Sequence, residues 1–152
     1  MIDSALLTRR ALRYVCDDNG LDTRNLAHLN FDAKQKLEEL VLAVRDDMEY
    51  NALKYFRPFE HQKKFFKTGT WPRRGILAAN RIGKTVSTCF EVAMHLTGNY
   101  PEWWEGRRFD KPVNVMVSGE GWQQVALVLQ NELLGTNDVK ITDQIGTGAI
   151  PR

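Results

Sequence analysis

The chain has 152 residues, 43% hydrophobic and 26% charged, with a formal net charge of +2. These are ordinary proportions for a soluble globular protein. The balance sets aside capture by nucleic acid or acidic membranes through overall charge alone. The length suits one domain or part of one, enough for a real core but short for a complete strand–helix nucleotidase.

Two cysteines, Cys16 and Cys89, lie far apart with no Cys-x-x-Cys spacing. Small, buried, reduced thiols in a cytosolic setting are expected. The N-terminus lacks the apolar centre of a signal peptide and no apolar run approaches spanning length, so no membrane is expected. The three histidines, His28, His61 and His95, are too scattered for a zinc site, and no nucleophile–base pairing stands out.

From Ser4 to Val15 the spacing is helical, with Leu7, Ala11, Leu12 and Val15 on one side and Arg9, Arg10 and Arg13 elsewhere. Asp17-Asp18-Asn19-Gly20 supplies turn residues. A second helix is predicted from near Asp32, where Asp three residues before Gln35 resembles a capping box. Leu37, Leu40, Val41, Val44 and Met48 form its apolar stripe. Either a solvated helix packed on the next domain or a docking surface would explain the pattern. Val41-Leu42-Ala43-Val44 before Arg45-Asp46-Asp47 imitates an apolar strand ending in acid, but it continues the helical period and is read as helix. Arg57-Pro58 breaks that period, since the residue before proline disfavours helix. The predicted boundary therefore separates a helical arm, 1–57, from a second unit, 58–152.

Glu60 to Phe66 reads as a short helix. An aromatic near Gln62, some twenty residues before a phosphate loop, could stack on an adenine while the amide offers donor and acceptor to the base edge. A surface helix with core phenylalanines explains the same residues. Gly75-Ile76-Leu77-Ala78-Ala79 then reads as a strand running into Asn80-Arg81-Ile82-Gly83-Lys84-Thr85, and a helix from Val86 to Thr97 comes next. Strand, loop ending in Gly-Lys-Thr, and helix are the context of a phosphate-binding loop. Backbone N–H groups can turn inward there and the helix directs its positive end at the anion. Lys84 would add a point charge and the Thr85 hydroxyl would join a Mg²⁺ shell. Ala78 stands where glycine is commoner, so the loop entrance must avoid a left-handed turn there or carry some strain.

Gly98-Asn99-Tyr100-Pro101 supplies a helix stop. Trp103, Trp104, Arg107, Arg108 and Lys111 read either as a loop pinned by its tryptophans or as a nucleic-acid surface. Val113 to Val117 alternates like a strand, and Trp122 to Leu134 reads as a helix with Trp122, Val125, Leu129 and Leu133 on one face and Gly135 at its end. Two successive strand–helix units imply an α/β fold with a parallel sheet and right-handed crossovers. From Thr136 to Arg152 the chain is polar and Gly-rich.

Phe56-Arg57-Pro58-Phe59-Glu60-His61-Gln62, together with Ala78-Ala79-Asn80-Arg81-Ile82-Gly83-Lys84-Thr85 and the closing Gly146-Thr147-Gly148-Ala149-Ile150-Pro151-Arg152, resembles the tailed-phage terminase large subunit. The resemblance runs from about Phe56 to the last residue, and the Asn-Arg pair in the loop makes it specific. It implies an ATPase of the P-loop class that couples ATP hydrolysis to pumping double-stranded DNA into a procapsid and cuts that DNA with a separate nuclease. It further implies ATP and Mg²⁺ as cofactors, and portal protein and small terminase subunit as partners. A homo-oligomeric ring and a place in the host cytoplasm at the procapsid are implied as well. On that resemblance Lys84 and Thr85 hold phosphate and Mg²⁺, Gln62 belongs to an adenine-recognising segment, and Arg81 stabilises charge on the terminal phosphate. A solvated or salt-bridged loop residue is the plainer reading of Arg81. No apolar strand ending in Asp-Glu and no nuclease carboxylate cluster occurs, so a first portion of such a subunit, with little or no turnover alone, is expected. A fragment of a helicase-like DNA translocase and a non-catalytic interaction module with a relic loop are the alternatives.

Overall fold

The computed structural model describes residues 4–135 and 145–152. Thr136 through residue 144 of the polar closing stretch therefore lie outside the described residues. Helix α1, Ser4–Asp18, is followed by a 3₁₀ turn, Thr23–His28, and by α2, Phe31–Tyr50. Asp22 caps the 3₁₀ turn by accepting from the Arg24 N–H at 2.9 Å. Asn30, not Asp32, caps α2: its side chain accepts from the Ala33 N–H at 2.8 Å. The two readings differ by less than one turn, because Asp32 already lies inside the helix, where its charge suits the positive end.

Helix α3 spans Glu60–Lys67 and α4 spans Lys84–Thr97, closed by Gly98 in the left-handed region (φ 71°). The last helical run is α5, Trp122–Gln124, a π-helical stretch, Val125–Leu129, and α6, Gln130–Leu134. The wider π turn rotates the side chains before it against those after it. Trp122 consequently faces solvent while Leu129 and Leu133 pack on the core, so the single apolar face expected for Trp122 to Leu134 is not continuous.

The expected parallel sheet does not form. Every regular element among the described residues is helical, and the α/β fold class is overturned. Residues 75–79 and 113–117 run extended, but neither makes a backbone–backbone hydrogen bond to a described residue. A strand exists only through its ladder. Leu77 is fully exposed and Met116 is 94% exposed, so neither segment gains the burial its apolar residues suit.

Two apolar clusters result. Leu7, Ala11 and Val15 of α1 meet Val41 and Met48 of α2, with Tyr55 beside them. The second cluster gathers Leu53, Phe56, Phe66, Phe90, Ala93, Met94 and Trp104. Residues 51–57 serve both: Tyr55 faces the first, Leu53 and Phe56 the second. Phe56 stacks on Phe90 with centroids 4.0 Å apart and planes 12° off parallel. Trp104 is buried, donates Nε1–H to the Arg107 carbonyl at 3.1 Å, and packs 5.4 Å from Phe66. Arg107 lies over Phe109 and Arg108 over Tyr100. The Trp103–Lys111 segment is thus a loop pinned by its aromatics. The closing residues dock by backbone: the Ala149 and Ile150 N–H groups donate to the Glu132 and Leu133 carbonyls at 2.8 and 2.9 Å. Gly148 permits this, since a Cβ there would stand 2.6 Å from the Leu133 and Gly135 backbones.

Asp47 ties α2 to the turn after it. Its carboxylate accepts from Asn51 Nδ2, Lys54 Nζ and the Tyr55 hydroxyl at 2.6, 2.6 and 2.5 Å. The hydrogen bond from Lys54, then those from Tyr55 and Asn51, hold its pKa at about 2, down from 3.8. Because the folded value is the lower one, this stabilisation is fully present above about pH 4 and is lost as pH falls toward 2. Asp47→Asn should lower stability at pH 7 by about 1–2 kcal/mol and flatten the acid limb of a urea-denaturation series run between pH 2 and 7.

Candidate functional site

The loop at the head of α4 stays on the surface, with Ala78, Ala79, Asn80, Arg81 and Ile82 all exposed. Two residues turn the chain through the left-handed region: Arg81 at φ 62° and Gly83 at φ 85°. Ala78 is spared, as a residue with a Cβ there requires, and Arg81 carries the strain, at a cost of about 1–2 kcal/mol. From Arg81 to Val86 no backbone N–H donates to a described residue; the first committed amide is that of Ser87, bonded to the Gly83 carbonyl at 2.9 Å. Six consecutive open donors at a helix N-terminus form a concentrated positive field.

Lys84 lies across the mouth of this loop. Its Nζ donates to the Ala78 and Ala79 carbonyls, each at 2.7 Å, which leaves one of three N–H bonds uncommitted. The neighbouring hydroxyls differ in role. Ser87 Oγ returns to the Gly83 carbonyl at 2.8 Å and Thr88 Oγ1 to the Thr85 carbonyl at 3.0 Å, while the Thr85 hydroxyl has no partner among the described residues. The residues present therefore fit a polyphosphate with a hydrated Mg²⁺: open amides, a flexible cationic side chain and one free hydroxyl for a metal that keeps most of its waters. No group of three metal-ligating His, Cys, Asp or Glu side chains occurs among the described residues.

Helix α3 braces the loop from behind. His61 Nε2 donates to the Ile82 carbonyl at 3.0 Å, a contact that no motif in the sequence signals. Gln62 is buried, its Oε1 accepts from the Phe59 N–H at 2.8 Å, and its Nε2 lies over Gly83. Half of the amide predicted to read a base is thus committed to capping α3, and Nε2 alone remains to offer. Arg81 is exposed and has no ion-pair partner among the described residues. Arg81, Ile82, Gly83 and Gln62 border a cavity of about 920 Å³ that reaches across to α1.

The segment leading into the loop is anchored by a buried charge. Glu91 of α4 is 5% exposed and pairs with Arg74 and, at 3.5 Å, with His95. Burial works to raise the Glu91 pKa, but the hydrogen bonds from His95 and Arg74 outweigh it and hold the carboxyl below its ordinary value. Cys89, on the same helix, has its thiol pushed up to about 11 by burial and by Glu132, so it is inert rather than nucleophilic.

Among the described residues the arrangement is helical, with an exposed loop and open amides at the head of α4. No family model and no solved structure matches the chain. Among curated proteins it is similar to the large terminase subunit of Salmonella phage P22, at 31% identity over 138 residues, a match covering 81% of this chain and 27% of that one. The chain is in this sense terminase-related, and it spans about a quarter of the length of that relative.

Gly83→Ala should cost about 1–3 kcal/mol, because Cβ would meet Gln62 Nε2 at 2.8 Å in a left-handed residue. Urea denaturation reads the loss; an unchanged midpoint would mean that the brace between α3 and the loop carries no energy.

Proposed function

We propose that the chain is the ATP-binding portion of a DNA-packaging terminase large subunit, with residues 78–85 as its phosphate loop. The observation that carries the reading is the run of open amides from Arg81 to Val86 with Lys84 across it. The similarity to the phage P22 subunit supplies the context of DNA packaging. Bound ATP supplies a phosphoanhydride whose hydrolysis can be coupled to movement of double-stranded DNA. The residues of this chain then divide the work. The open amides and the head of α4 neutralise phosphate oxygens without needing a side chain to reorganise. Lys84 adds a point charge and Thr85 offers its hydroxyl to Mg²⁺. Arg81 stabilises charge on the terminal phosphate, and Gln62 presents Nε2 to an acceptor on the base. Portal protein, the small subunit, a ring of copies and a place at the procapsid complete the proposal. The sequence contains no Asp-Glu pair to polarise an attacking water, so binding with slight turnover is expected of these residues alone.

Calorimetric titration with ATP·Mg²⁺ tests the reading. The unaltered chain should bind, and Lys84→Ala should weaken binding by about 10- to 100-fold through loss of a charge-assisted contact. Absence of binding at millimolar nucleotide, with helical circular dichroism intact, would overturn it in favour of an interaction module with a relic loop. Gln62→Ala should weaken ATP more than inorganic triphosphate; equal losses would remove its role at the base.

A further inference from the structure

The cavity beside the phosphate loop is built by two distant stretches of chain. One wall is Arg81, Ile82 and Gly83 of the loop; the facing wall comes from α1, through Arg10, Arg13 and Tyr14. These three stand at i, i+3 and i+4, the spacing that places side chains on one helix face. Leu7, Ala11 and Val15 turn the adjoining face into the α1–α2 core, so α1 is fixed in place while its arginines line the cavity. Arg57 lines the cavity too, stacked on Tyr14 and paired with Asp17 at 3.5 Å and Asp18 at 3.9 Å.

The charge balance is uneven. Among the described residues, four guanidiniums, those of Arg10, Arg13, Arg57 and Arg81, border the cavity against one carboxylate, Glu132, in a chain whose whole net charge is +2. Arg10, Arg13 and Arg81 have no acidic partner among the described residues. Exposed guanidiniums around one hollow, without a carboxylate in ion-pair reach of Arg10, Arg13 or Arg81, favour an anion there. The volume, about 920 Å³, falls within the roughly 300–1,000 Å³ typical of small-molecule sites.

We propose that Arg10 and Arg13 of α1 are binding residues for the same nucleoside triphosphate that the loop grips, so that the N-terminal helical arm forms one wall of the nucleotide site. The inference rests on the phosphate-loop reading above. The open amides take one part of the triphosphate, and the two α1 arginines meet anionic oxygens that extend past Arg81 into the cavity. Ligand binding thereby joins α1 to the loop through charge.

Calorimetry on the full chain tests this with four proteins: unaltered, Lys84→Ala, Arg10→Gln with Arg13→Gln, and Arg10→Lys with Arg13→Lys. Both arginines are exposed, so circular dichroism should be unchanged. The double glutamine variant should bind ATP·Mg²⁺ at least about tenfold more weakly and show a shallower dependence of affinity on salt. The double lysine variant should recover part of the affinity. If the unaltered chain binds and Lys84→Ala weakens it, yet the glutamine variant matches the unaltered chain in affinity and salt slope, the α1 wall is overturned and the loop reading stands. If the unaltered chain binds no nucleotide, both fall together.

Discussion

A carboxylate in the middle of a buried helix face has to be neutralised where it stands, since water cannot reach it. Glu91 is such a group, and Arg74 and His95 neutralise it. The pairing fixes more than a charge. Arg74 sits just before the extended run into the loop at the head of α4, its guanidinium lies over the Phe65 ring, and His95 meets the Tyr100 hydroxyl, which in turn accepts from the Phe109 N–H. One carboxylate thus gathers the entry to the loop, α3, α4 and the pinned aromatic segment. Removing it would leave the half-buried Arg74 guanidinium without its carboxylate partner.

Helix α4 does two jobs that pull in different directions. Its middle, Phe90, Ala93 and Met94, is wholly committed to the core, and its first turn leaves its donors open. Rigid packing behind an unsatisfied end is what makes an anion site easy to fill, because the dipoles are already aimed. Helix α3 completes the support through His61 on the Ile82 carbonyl and Gln62 over Gly83. The loop is exposed without being unsupported.

The cavity between α1 and the loop links parts that the sequence separates by some seventy residues. Residues 51–57 make that link, because Tyr55 belongs to one apolar cluster while Leu53 and Phe56 belong to the other. Joined through these residues, α1 places Arg10 and Arg13, both exposed, along the same cavity as Arg81.

Much of this was legible in the residues. The apolar period of Leu7, Ala11 and Val15, the stripe through Val41 and Met48, the proline break after Arg57, and the Gly-Lys-Thr run each specify local geometry through steric and periodic rules that need no partner. The two cysteines are free and buried, as their isolation in the chain implied. The strands were not decided locally. Residues 75–79 and 113–117 have strand composition, but a strand is completed by a neighbour's hydrogen bonds, and no described residue supplies them. Likewise the π turn that swings Trp122 outward, the His61 brace, the half-committed Gln62 amide and the arginine-lined cavity depend on which surfaces meet. Local spacing decides which face of a helix is apolar; only packing between elements decides what the polar face looks across at.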